Sequence, residues 1–128
     1  MNFQEGKILI DGEIISPGYT FNDFKKTHFY ENQDGIRIIK LKNPVIIDKH
    51  KYIINLFFKN YILYMITLVC IDKDIPFEKE EERFKLHEKI MSEYGLSMMN
   101  TFNWGNIKLK FDPRSNLSSI NIIYNAGC

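Results

Sequence analysis

Three histidines, two cysteines and one dense acidic run are the residues of this chain whose types suit chemistry. A catalytic or metal-binding histidine needs partners at a set spacing. The sequence holds no His-Glu-x-x-His or Cys-x-x-Cys pair, no phosphate-cradling Gly-rich loop and no dinucleotide fingerprint. His28 and His50 fall in expected loops and His87 on an expected helix, so they read as surface or partly buried side chains, and neither a metal nor a cofactor is expected. Cys70 lies in an apolar run and reads as a small buried hydrophobe, whose thiol resists ionisation and makes a poor nucleophile. Cys128 is the last residue; a disulfide between the two is unsupported, and reduced thiols suit the cytoplasm. No catalytic residue is assigned.

The acidic run Glu78, Glu80, Glu81 and Glu82 has two readings. It is a solvated first helical turn favoured by the helix dipole, or a surface for a basic partner. For the second reading the candidate partner-binding residues are Asp72, Asp74, Glu78, Glu81 and Glu82. Trp104 beside Gly105 reads as a core plug before an interface anchor. Asp112-Pro113-Arg114-Ser115 reads as a hairpin turn before an anion site.

These residues need a frame, and 128 residues suit one α+β domain over 1–128. Hydrophobic residues at 45% and charged ones at 26% exclude disorder and a disulfide scaffold, and a net charge of +1 gives no overall basic field for nucleic acid. No secretory leader is expected in Met1 to Lys7, so a cytoplasmic location is expected. Lys7–Ile10, Asp11-Gly12 and Glu13–Ser16 spell a hairpin with a type I′ turn. Thr20 with Asp23 three residues on caps a short helix whose Phe21 and Phe24 pin it to the sheet. The alternation in Ile36–Lys42 predicts a strand, Val45–Ile47 another, and Asp48-Lys49-His50 a turn.

Tyr52 to Ile71 is long and apolar enough to span a bilayer, but Lys59-Asn60 near its middle would cost a lone span about 2.5 to 3.5 kcal/mol. Two strands turning at Lys59-Asn60 fit better, and no membrane is expected. Both strands are apolar on both faces. The one long helix, about Phe77 to Tyr94, carries a single stripe of Phe77, Phe84, His87, Ile90, Met91 and Tyr94. At roughly 27 Å it covers one sheet face. After a Met- and Asn-rich loop, Asn106–Phe111 and Leu117–Tyr124 close an antiparallel meander, with both helices packed on it. The other sheet face needs shielding by the N-terminal hairpin or by another protein, and an open strand edge would offer a further docking mode.

Gly6-Lys7-Ile8 through Asp11-Gly12 to Ile15-Ser16-Pro17-Gly18-Tyr19-Thr20 with Phe24, then Trp104-Gly105-Asn106-Ile107, then Asp112-Pro113-Arg114-Ser115 through Ser119 to Tyr124, together resemble small bacterial immunity proteins of contact-dependent or polymorphic toxin systems. The resemblance implies a non-enzymatic cytoplasmic protein that binds and neutralises a cognate toxin, with no catalytic residue and no binding surface carried over by position. Two alternatives stand beside it. One is a small ligand-binding or enzymatic α+β domain using His28, His50 or His87; the other is a structural homodimer that buries the surplus sheet face.

Overall fold

Asp11 and Gly12 take φ of 47° and 84°, the backbone that a type I′ turn needs, and fold β1 (Ile8–Ile10) onto β2 (Glu13–Ile15). Thr20 Oγ1 accepts from the Asp23 amide at 3.1 Å while Asp23 returns a carboxylate to the Thr20 amide at 2.9 Å, the reciprocal box that starts α1 (Phe21–Lys25). Phe21 and Phe24 then meet Phe58 ring to ring at 5.7 and 6.1 Å. These contacts belong to a computed structural model of the chain, which describes residues 1–112, 114 and 117–125.

The remaining strands are β3 (Ile39–Lys40), β4 (Val45–Ile47), β5 (His50–Lys59), β6 (Ile62–Cys70), β7 (Met99–Phe102), β8 (Gly105–Asp112) and β9 (Leu117–Tyr124), with α2 (Glu80–Glu93) between β6 and β7. They form one antiparallel sheet in the order β3-β5-β6-β9-β8-β7, with β4 also pairing β5. The architecture is α+β. Two antiparallel meanders meet where β6 pairs β9, from Met65 with Ile123 to Leu68 with Ile120.

All covering elements lie on one side. Tyr52, Ile54, Leu56 and Phe58 of β5 align with Cys70, Leu68, Ile66 and Leu63 of β6, and the row continues through Ile120 and Ile122 of β9 to Leu109 and Ile107 of β8. Each of these is buried, and they form one contiguous core with Ile90 and Met91 of α2, Ile8, Ile10 and Ile15 of the hairpin, and the two α1 phenylalanines. Trp104 locks the hairpin down: its Nε1 donates to Phe3 O at 2.7 Å, and its ring stacks on Phe102 and lies against Gly6. Tyr124 donates its hydroxyl to Gly6 O at 2.9 Å. Trp104 is thus a core plug. No helix among the described residues is long and apolar enough to cross a membrane.

Several expectations are corrected. The strand expected over Ile36–Lys42 shrinks to Ile39–Lys40, and Ile36 and Ile38 are exposed, because Asp34 Oδ1 accepts from the amides of Ile36 and Arg37 and holds that stretch in a bend. The β5–β6 turn is Asn60-Tyr61, at φ 53° and 62°, one residue later than Lys59-Asn60. Tyr61 tolerates that backbone because its carbonyl accepts from the Phe21 amide at 2.8 Å and its ring packs on Phe21. His50 opens β5 and is not in the turn. A 3₁₀ turn at Phe77–Lys79 precedes α2, and Met99–Phe102 of the expected loop forms β7. The Phe77 side chain, Pro113, Ser115, Asn116 and Cys128 lie outside the described residues.

Candidate functional site

Past Leu68 and Ile120 the β6–β9 ladder stops, and the groups that the next pair would use are taken by α2. The Cys70 amide donates to His87 Nε2 at 3.0 Å, Arg83 Nε donates to Cys70 O at 3.1 Å, and the Ser118 amide donates to Glu80 at 3.0 Å. Glu80 also holds Arg83 at 2.5 Å. This overturns the solvated reading for Glu80, which is 1% exposed: it satisfies a strand end and a guanidinium. His87 is 0% exposed, and burial, with Arg83 nearby, lowers its pKa to about 3. With Nε2 accepting, the neutral ring carries its proton on Nδ1 and donates it to Ser118 Oγ at 2.8 Å. A histidine so protonated cannot take the serine's proton, so the buried Ser118–His87 pair is a strut and not a nucleophile with its base.

A second titratable cluster sits where β5 begins and β6 ends. His50 Nδ1 lies 2.5 Å from Asp72 and Nε2 lies 2.7 Å from Glu93 at the end of α2. A neutral imidazole has one N–H, so two carboxylate contacts favour the doubly protonated ring. Burial lowers the His50 pKa, but the hydrogen bonds to Asp72 and Glu93 outweigh it and hold the group above its ordinary value. Asp72 is held below its ordinary value: burial opposes this, and the bonds from His50 and the Lys51 amide prevail. Tyr94 donates to Asp48 alongside, and Lys49 pairs with Glu93 at 3.5 Å. Beneath lies Cys70, whose thiol burial pushes to about 11.

The third region is the sheet's other side. Its apolar residues form two rows by cross-strand register: Ile53 with Val69, and Phe57 with Met65 and Ile123. Between them runs a polar row, Asn55–Thr67–Asn121, ended by Lys40 on β3 and Lys108 on β8. Strand alternation adds Lys51, Lys59 and Lys110 to the same side. Asp112, at the far end of β8, is the one acid that register places there among the described residues. Among the described residues Val69 is the single buried hydrophobe outside the contiguous core, and Ile53, Phe57, Met65 and Ile123 do not pack on that core either. The shielding expected from the hairpin goes to the helix side, so neither helix nor hairpin covers this face, on which Val69, Thr67 and Asn121 are buried and Ile53, Phe57, Met65 and Ile123 are half-buried.

Of the residues expected to bind a partner, Asp72 is engaged by His50 and the Lys51 amide, while Asp74, Glu78, Glu81 and Glu82 are exposed. Exposed Lys73, Lys79 and Lys85 intersperse these four, so that patch is of mixed sign. His28 lies apart, 2.9 Å from Asp11 and 3.4 Å from Glu13, at a cleft of about 530 Å³; its bond to Asp11 raises its pKa. The open lysine face escaped sequence reasoning because its five cations come from three strands, β3, β5 and β8, and strand order alone gathers them. No family model, curated protein or solved structure matches the chain.

Proposed function

We propose that this chain is a non-enzymatic protein-binding module whose open sheet face docks an acidic protein partner, and, following the resemblance to immunity proteins, that the partner is a toxin held inactive. The observation that carries this reading is the open face itself: apolar rows detached from the core, framed by Lys40, Lys51, Lys59, Lys108 and Lys110. At about 4.8 Å between strands and about 3.3 Å per residue, the six strands, which run from two to ten residues, make a face of roughly 650 Å², close to the ~800 Å² per partner of a standard interface.

Charge selects the occupant. Two copies stacked on this face would bring ten lysines into one layer, which disfavours the homodimer. The rows on either side of the central polar row carry one aromatic ring, Phe57, among Ile53, Val69, Met65 and Ile123, which suits apolar side chains more than a run of stacked bases and favours a protein over nucleic acid. Co-expression with the product of an adjacent gene tests the reading. Rescue of growth by the wild-type chain, lost on Lys40→Glu/Lys51→Glu/Lys108→Glu with the fold retained, supports it. A toxic neighbour that the chain neither binds nor neutralises, a doubled mass for the free chain in solution, or tight oligonucleotide binding counts against it.

A further inference from the structure

The geometry points to a zinc site at the junction of β5 and β6, with His50 Nδ1, Cys70 Sγ and one Asp72 carboxylate oxygen as ligands. The three ligand atoms lie within 4.8 Å of one another. Four-coordinate zinc, with bonds of about 2.0 to 2.3 Å, needs its ligand atoms roughly 3.5 Å apart, so side-chain adjustments alone close the site. Imidazole nitrogen, thiolate and carboxylate together suit zinc better than the hard oxygen-seeking cations.

Three features around the ligands match what a metal needs. His50 Nε2 faces Glu93 at 2.7 Å, so once Nδ1 binds metal the remaining N–H donates to a carboxylate, the usual support of a ligating histidine. The Lys51 amide holds Asp72 Oδ1 at 2.8 Å and leaves Oδ2 toward His50. The third feature is independent of the ligands. Tyr52, the cross-strand partner of Cys70, is 0% exposed, and its hydroxyl has no hydrogen-bond partner among the described residues. A buried hydroxyl left unpaired is costly, and a water in the fourth coordination position of the metal would satisfy it. A cleft of about 200 Å³ lined by Asp48, Lys49, His50, Glu93 and Tyr94 opens toward this corner.

The charge balances. Zn²⁺ entering releases two protons, one from the Cys70 thiol and one from His50 Nδ1; Asp72 is already a carboxylate. A dication therefore replaces two protons, and the corner keeps its charge. The metal would tie the start of β5 to the end of β6, with α2 attached through Glu93.

The test is titration of the purified full-length chain with Zn²⁺ by calorimetry, and with Co²⁺ by absorbance, in wild type, Cys70→Ser, His50→Ala, Glu93→Gln and Cys128→Ser. One equivalent binds. Cobalt gives a thiolate charge-transfer band in wild type and Cys128→Ser, but not in Cys70→Ser. Zinc affinity falls at least tenfold in Cys70→Ser and His50→Ala, and about 10- to 100-fold in Glu93→Gln. Should Cys70→Ser fail to fold, His50→Ala carries the same test from a strand end. Absence of saturable binding, unchanged affinity in His50→Ala, or loss of the thiolate band in Cys128→Ser overturns the site.

Discussion

His87 should make this protein acid-sensitive in a way that one substitution removes. Its folded pKa of about 3 lies below its ordinary 6.5, so the unfolded chain accepts a proton that the folded chain refuses. Stability from this group is therefore full above pH 6.5 and is lost progressively as the pH falls toward 3. At pH 5 the unfolded state is 1.5 units below the ordinary pKa, and the linkage integral gives a loss of about 2 kcal/mol relative to pH 8, near thirtyfold in the folding equilibrium. No discount for solvent applies, because the ring is 0% exposed. His87→Gln keeps an acceptor for the Cys70 amide and a donor for Ser118 Oγ, yet cannot titrate. Urea unfolding of both chains at pH 8 and pH 5 isolates the effect. His28 and His50, whose pKa values are raised, contribute in the opposite direction, but they are common to both chains and cancel in the difference. A wild-type loss that exceeds the variant's by about 2 kcal/mol supports the buried neutral imidazole; a difference below about 0.5 kcal/mol refutes it.

Glu80→Ala should lower stability by about 3 to 5 kcal/mol in urea unfolding, because it strands the Arg83 charge at a buried site, whereas Glu80→Leu/Arg83→Leu should cost less. Gly6→Ala would place a Cβ 2.5 Å from the Trp104 ring at a φ of 68°, and should cost about 1 to 3 kcal/mol. Since Trp104 is the only tryptophan, its displacement is read directly as a red shift of the emission. Lys40→Glu/Lys108→Glu should leave stability within about 0.5 kcal/mol while weakening association with an acidic partner, chiefly through a slower on-rate that loses its salt dependence.

What the sequence made legible was local. The Asp11-Gly12 turn, the Thr20–Asp23 box and the apolar β5–β6 ribbon each carry their signal within a few residues, and each is present. Glu80 could have been found, since it stands four residues before Phe84 and seven before His87 on the same stripe; its charge concealed that a carboxylate can face a core when strand ends and an arginine await it. The stretch around Ile36 misled because alternation cannot reveal a neighbouring aspartate that captures the amides. His50 meeting Asp72 was not readable: the β5–β6 register shifts at a bulge between Phe57 and Phe58, and that shift puts the pair opposite each other. The lysine face needed the β6–β9 pairing, a contact between residues more than fifty apart in the chain.

The most direct measurement of the docking claim is the affinity of the purified chain for the product of an adjacent gene, the partner that the proposed function requires, compared across two sign-reversed variants. Lys40→Glu/Lys51→Glu/Lys108→Glu inverts the open sheet face, and Glu78→Lys/Glu81→Lys/Glu82→Lys inverts the acidic turn. The account predicts at least a tenfold rise in Kd for the lysine variant and less than about threefold for the acidic one, since three reversed charges around the docking face turn attraction for an acidic partner into repulsion, while the acidic turn lies off that face. Loss of binding in the acidic variant, with the lysine variant binding as wild type does, would contradict it and move the docking surface to the start of α2.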